Sequence, residues 1–158
     1  MTIQRQQPLT AVCAAVLGLV LLPALTAGAD GSLETMKKGK NLFQSQCLNC
    51  HQTPDEAAGS YRTRPSWQAI VKDMVGRGAK LDEEQQAAVV EYISGRMILV
   101  SKCTGCHSFI RPLTANKSFE NWKSTVERMA SRMPGAFGMT PEQIEKLTVF
   151  LSVERPPL

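Results

Sequence analysis

The chain has 158 residues, a formal net charge of +4 and 43% hydrophobic content, the range of an ordinary globular protein of one domain or two small ones. It has no basic run of the length that nucleic-acid binding calls for. Beyond residue 29 no segment is apolar enough to span a bilayer.

Residues 1–29 have their own pattern: a polar start with Arg5, an apolar run over residues 11–25, then Ala27 and Ala29 in an A-x-A arrangement. This predicts a secretory signal peptide cleaved after Ala29, and hence an exported, periplasmic protein. The apolar run is shorter than the ~20 residues needed to cross a membrane, and Pro23 interrupts it. Cleavage would remove Cys13 and Arg5, leaving 17 basic against 14 acidic residues and four cysteines, Cys47, Cys50, Cys103 and Cys106.

After the leader the chain writes one pattern twice. "GKNLFQSQCLNCH" begins at Gly39, and "GRMILVSKCTGCH" begins fifty-six residues later at Gly95. The register continues through "SWQAIVKDM" and "NWKSTVERM", then through "LDEEQQAAVVEYIS" and "MTPEQIEKLTVFLS". Solenoids need three or more copies to bury a continuous core, so two copies predict two compact modules, residues 30–94 and 95–158.

In chain order, residues 33–46 carry Leu33, Met36, Leu42 and Phe43 on a broadly helical spacing that leads into the first cysteine pair. Residues 52–65 and 108–118 have loop composition, with Pro54, Gly59 and Pro65 in one and Pro112 and Asn116 in the other. Trp67, Ile70, Val71 and Met74 fall at i, i+3, i+4 and i+7. Trp122, Val126, Met129 and Met133 fall at i, i+4, i+7 and i+11, so each set predicts one apolar stripe on a helix. Asp82 with Gln85 starts one last helix, and Thr140 with Gln143, with Pro141 at the first helical position, starts the other. Tyr92, near the end of the first unit, lies three residues before Gly95, which leaves no room for a linker. Strand-like alternation is absent, and the predicted fold is all-α.

C-x-x-C-H is the attachment signature of c-type haem: two thioethers anchor the porphyrin and the histidine supplies one axial bond to iron. Cys47, Cys50 and His51 form one copy and Cys103, Cys106 and His107 the other, which predicts two covalently bound haem c groups. A zinc site built from both cysteine pairs is the competing reading, but paired zinc knuckles lie closer together in sequence. Disulfides across each pair, as in a thioredoxin-like protein, call for a βαβ context that the chain lacks.

These residues resemble class I cytochromes c. Gly39, Phe43 and Cys47, spaced four apart, are similar to that family's first helix, whose glycine permits a close crossing with the last helix. "EYIS" and "VFLS", with Tyr92 and Phe150, resemble its last helix; Leu99 takes the place in the second unit that Phe43 has in the first. Within the family, the tryptophan, the methionine seven residues on and "LDEEQ" resemble bacterial periplasmic dihaem cytochromes and the dihaem part of quinohaemoprotein amine dehydrogenases. The resemblance implies two tandem helical modules, each wrapped around one haem. It also implies an electron carrier or electron-transfer subunit with no catalytic residues, a dehydrogenase as donor and a cytochrome, oxidase or reductase as acceptor.

His51 and His107 are the chain's two histidines, so bis-histidine ligation within a monomer is excluded. The sixth position is left to methionine, lysine, the chain amine or nothing. The resemblance favours methionine: Met74 for the first haem, and Met129 or Met133 for the second. The internal repeat points to Met129, the family's Met-Pro context points to Met133, and Met139 is a further candidate. Trp67 and Trp122 are expected to pack along a haem edge and Arg62 and Arg64 to reach propionates. Lys37, Lys38 and Lys40 are either a docking patch or a solvated face. A haem left five-coordinate, meeting peroxide or nitric oxide, is the competing functional class, but no acid–base constellation accompanies the haems.

Overall fold

A computed structural model describes residues 27–54, 62–108, 110–133 and 138–154, with side chains from Ser32 onward. Among the described residues the protein is all-helical and contains no strand. The elements in order are α1 (Ala27–Leu42), a π-helical turn (Phe43–Cys47), α2 (Arg64–Gly76), α3 (Glu83–Cys103), α4 (Ile110–Leu113), α5 (Phe119–Ala130) and α6 (Pro141–Glu154). The expected cleavage position falls in the first turn of α1. The rest of the predicted leader, with Cys13, lies outside the described residues, as does Gly59.

The helix starts follow the capping chemistry written in the sequence. The Asp82 carboxylate accepts from the Gln85 backbone N–H at 2.8 Å, and the Gln85 side chain accepts from the Asp82 N–H at 3.0 Å. Thr140 and Gln143 make the same reciprocal pair at 3.2 and 3.0 Å, with Pro141 as the first helical residue. Each box satisfies two N–H groups that helix geometry leaves without an internal partner. Ser118 caps α5 through the Asn121 N–H. Two sequence expectations shift. Pro65 belongs to the first turn of α2, not to the loop before it, because proline suits a position where the N–H has no partner. Met133 lies beyond the end of α5, so the stripe that begins at Trp122 ends on the helix at Met129 and continues into a turn.

α3 is the centre. It runs unbroken for 21 residues through the junction where one repeat ends and the next begins, and it packs against α1, α2 and α6. Ala88, Val89, Val90, Tyr92, Ile93 and Gly95 are all buried, so most of this helix is covered, and Ala87, Glu91, Ser94 and Ser101 mark the narrow face left open. Residues 147–153 of α6 are likewise continuously buried. α5 covers α6, and the C-terminal parts of α1 and α6 meet.

Two glycines set these crossings. A methyl group at Gly39 would collide with the Ala88 carbonyl oxygen and lie 3.0 Å from Tyr92 Cβ, so α1 rides directly on the α3 backbone. A methyl group at Gly95 would lie 2.7 Å from Phe150 Cβ, where α6 crosses the second half of α3. Tyr92 stands between Phe43, at 5.3 Å between ring centroids, and Phe150, at 5.4 Å, and both contacts are tilted. Each ring buries enough surface to contribute about 1.5–3 kcal/mol, and tilted pairs add about 0.5–1.5 kcal/mol. The Tyr92 hydroxyl donates to the Glu154 carboxylate at 2.7 Å. Lys40 donates to the Val153 and Glu154 carbonyls at 2.8 and 2.9 Å, closing the open end of α6 from α1.

Gly39→Ala is expected to force α1 off α3 and cost about 2–3 kcal/mol, with Gly95→Ala next. Gly76→Ala, which meets nothing within 4 Å, is expected to be neutral or to stabilise by up to about 1 kcal/mol; thermal melts of the three variants read the order. Burial, reinforced by the Glu154 carboxylate, pushes the Tyr92 phenol well above its ordinary range. Folding therefore holds the neutral form, and that stabilisation is complete below the unfolded phenol value of about 10 and declines as pH rises past it. Tyr92→Phe is expected to lose less stability than the native protein between neutral and strongly alkaline pH, measured by denaturant midpoints.

Candidate functional site

Both cysteine pairs sit in tight turns directly after a helical segment. In the first, the Leu48 N–H donates back to the Phe43 carbonyl at 3.2 Å, closing the π-helical turn. The Cys50 and His51 N–H groups then donate to the Cys47 carbonyl at 3.2 and 2.9 Å. The second pair follows the last residues of α3, with Thr104 as the cap and residues 104–106 in a turn. In each pair the first cysteine is half-buried against the apolar core and the second is exposed. All four are free thiols. Burial pushes the Cys47 and Cys103 thiols up, and the neighbouring cysteine adds to the effect. Among the described residues no three of His, Cys, Asp and Glu converge on one point, so the four cysteines do not assemble the closed tetrahedral site that structural zinc requires.

Cys103 of the second pair opens onto a cavity of about 300 Å³, while Cys106 lies outside its lining. Cys103, His107, Met129, Met133 and Met139 all line it, with Trp122 forming part of its wall. The three methionines left open by the sequence for this half therefore share one chamber. α5 carries Met129, the turn after α5 carries Met133, and Met139 precedes the cap of α6. His107 Nδ1 lies 3.2 Å from the Ser108 carbonyl. A carbonyl only accepts, so this contact places the proton on Nδ1 and leaves the Nε2 lone pair for a metal. In the first half, His51 and Met74 are half-buried and Trp67 is buried. Met74 sits one turn before the end of α2, where its carbonyl accepts from the Arg77 and Ala79 N–H groups.

The three charged residues of the cavity wall went unread in the sequence: Arg111, Lys117 and Arg128. Lys117 Nζ donates to Thr125 Oγ1 at 2.8 Å and stands 5.3 Å from the centre of the Trp122 ring. No local motif marks these cations, because the fold gathers them from α4, the loop after it and α5. Arg62 and Arg64 line a different cleft of about 380 Å³, with Ser94, Met97 and Lys146. Arg64 there pairs with Glu91 at 3.1 Å. The three clustered lysines divide as well: Lys37 is exposed, Lys38 pairs with Glu84, and Lys40 is spent on the end of α6.

The cavity fits a haem. Its wall is mostly apolar, its attachment residues lie together, thioethers are within it, and its charged side chains are cations that suit carboxylate-bearing edges. Among the described residues the buried indole N–H groups of Trp67 and Trp122 have no partner, and a buried donor without an acceptor is costly unless a bound group supplies one.

Residues 34–93 match the model of the family described as cytochrome c oxidase, cbb3-type, subunit III. That match supports a c-type cytochrome. It implies covalently bound haem c, electron transfer as the general activity, and redox proteins as partners. The matched segment covers α1 through the first half of α3 and stops just before Gly95. No curated protein and no solved structure matches. No helix among the described residues is long and apolar enough to cross a membrane.

In haem-loaded protein, Trp122→Phe and Trp67→Phe are each expected to cost about 1–3 kcal/mol by removing a donor that the haem satisfies. Denaturant titration checks this: neutral or stabilising results would mean the indole N–H groups stay unpaired with haem in place.

Proposed function

We propose that this chain is an exported dihaem c-type cytochrome that carries single electrons between a periplasmic dehydrogenase and a downstream acceptor. Haem c, when bound, supplies a one-electron iron couple. In this reading residues 30–94 and 95–158 are two modules that share α3, with the predicted signal peptide of residues 1–29 removed on export.

The observation that carries the reading is the chamber around Cys103 and His107. Cys103 on the wall with Cys106 in the turn beside it, an imidazole whose Nδ1 donates to the Ser108 carbonyl, and thioethers along the same wall are the parts that would anchor a haem and hold its iron. The matching sequence in the first half, Cys47, Cys50 and His51 with Met74 on α2, supports a second site of the same kind. The crossings at Gly39 and Gly95 support it further, since each half places a glycine of one helix against an aromatic-bearing stretch of another. Because α3 is continuous from Tyr92 to Cys103, the axial distance between the end of one unit and the attachment site of the next is about 16 Å at 1.5 Å per residue. A rigid helix in place of a linker fixes the separation of the two sites.

The chain's own groups have positioning roles. The cysteines would anchor the haems, and His51 and His107, together with Met74 and either Met129 or Met133, would hold their iron. With the iron held from the protein on both counts, the chemistry the haems would supply is electron exchange.

Protein from its native host is expected to carry two haems per chain by alkaline pyridine assay, and the double variant Cys103→Ser with Cys106→Ser one. A content near zero in the native protein would overturn the reading. The reduced spectrum is expected to be unchanged by carbon monoxide, with a sulfur-to-iron charge-transfer band in the oxidised protein. A carbon monoxide shift would assign an open iron site instead.

A further inference from the structure

We propose that the site around Cys103 and His107 is the more oxidising of the two, so that electrons run through the chain from the Cys47–His51 end to the Cys103–His107 end. This rests on the dihaem reading above and adds a direction to it.

The warrant is the charge on the cavity wall. Arg111, Lys117 and Arg128 line it, and among the described residues no carboxylate does. Among the described residues none of the three cations is in an ion pair. Lys117 is a placed charge: its ammonium is held by Thr125 Oγ1 and by the Trp122 ring, and Thr125 in turn donates to the Asn121 carbonyl at 2.7 Å.

The first half differs where the repeat allows a like-for-like comparison. Aligning Trp67 with Trp122 places Met74 opposite Met129 and Asp73 opposite Arg128. The residue before the candidate methionine is thus an anion in one half and a cation in the other. Asp73 is paired with Arg77 at 2.8 Å; the preceding residues, Lys72 and Glu127, differ in the opposite sense, but Glu127 does not line the cavity whereas Arg128 does. Arg62, opposite Lys117 in the same alignment, lines the separate cleft by Ser94 and Met97. Haem carboxylates add equal charge at both sites and leave this difference standing.

Positive charge near an iron centre favours its reduced state, which carries one charge less. The step moves one electron from the first site to the second: the first is oxidised, the second is reduced, and no proton or bond changes. Arg111 and Arg128 are exposed and Lys117 is half-buried, so salt screens the effect and narrows the difference between the sites.

Potentiometric titration of the haem-loaded protein at low ionic strength tests the assignment, with haem counted on the same samples. Two waves are expected. Arg128→Asp should lower the higher wave and leave the other in place, and Asp73→Arg should raise the lower one. Lys117→Gln should also lower the higher wave, with Lys117→Arg restoring it. The gap should shrink as salt is added. Two haems per chain with the higher wave indifferent to Arg128 and Lys117, or with the lower wave responding to them, would overturn the direction alone. One haem per chain would overturn the dihaem reading and the direction with it.

Discussion

At Gly39 the backbone of α1 lies so close to α3 that a methyl group would collide with the Ala88 carbonyl oxygen. Most of the molecule depends on that approach and its counterpart at Gly95. Close crossing brings Phe43, Tyr92 and Phe150 into one aromatic row at the centre. It also carries Lys40 to the last carbonyls of α6, so α1, α3 and α6 are tied at a single region of the fold. Interiors packed at crystalline density do not absorb an extra methyl group between backbones; the helices must part.

The candidate site is a consequence of this arrangement. α3 is locked at its centre, so its end projects Cys103 and the following turn to one side in a fixed place. α6, pinned at its C-terminal end and capped by Thr140 at the other, leaves a chamber between itself, α5 and the end of α3. Apolar burial shapes the chamber, and Arg111, Lys117 and Arg128 give it one sign of charge. The unpartnered indoles of Trp67 and Trp122 carry a desolvation cost that a bound acceptor would offset.

Much of this was legible in the sequence for identifiable reasons. The boxes at Asp82 and Thr140 are local, since cap and partner are three residues apart. The outer helices α2 and α5 bury one face, and Trp67 with Val71 and Trp122 with Val126 show it as a period. α3 and the end of α6 were harder to read, because their buried residues run through consecutive positions and leave too narrow a polar face to set a period. The end of α5 at Ala130 was missed because Met129 and Met133 keep an apolar spacing that a turn satisfies as readily as a helix.

The two C-x-x-C-H motifs, the internal repeat and the count of two histidines can be read from the chain alone, because they depend on residue types, spacing and counts. Tertiary structure alone decided that Met129, Met133 and Met139 share one chamber, that Lys117 stands over Trp122, and that Lys40 closes α6 instead of facing a partner. It also separated Arg62 and Arg64 from the chamber around Cys103. The physical reason is range: capping and covalent motifs act over a few bonds of chain, whereas the field and the walls of a cavity are summed over side chains that only folding brings together.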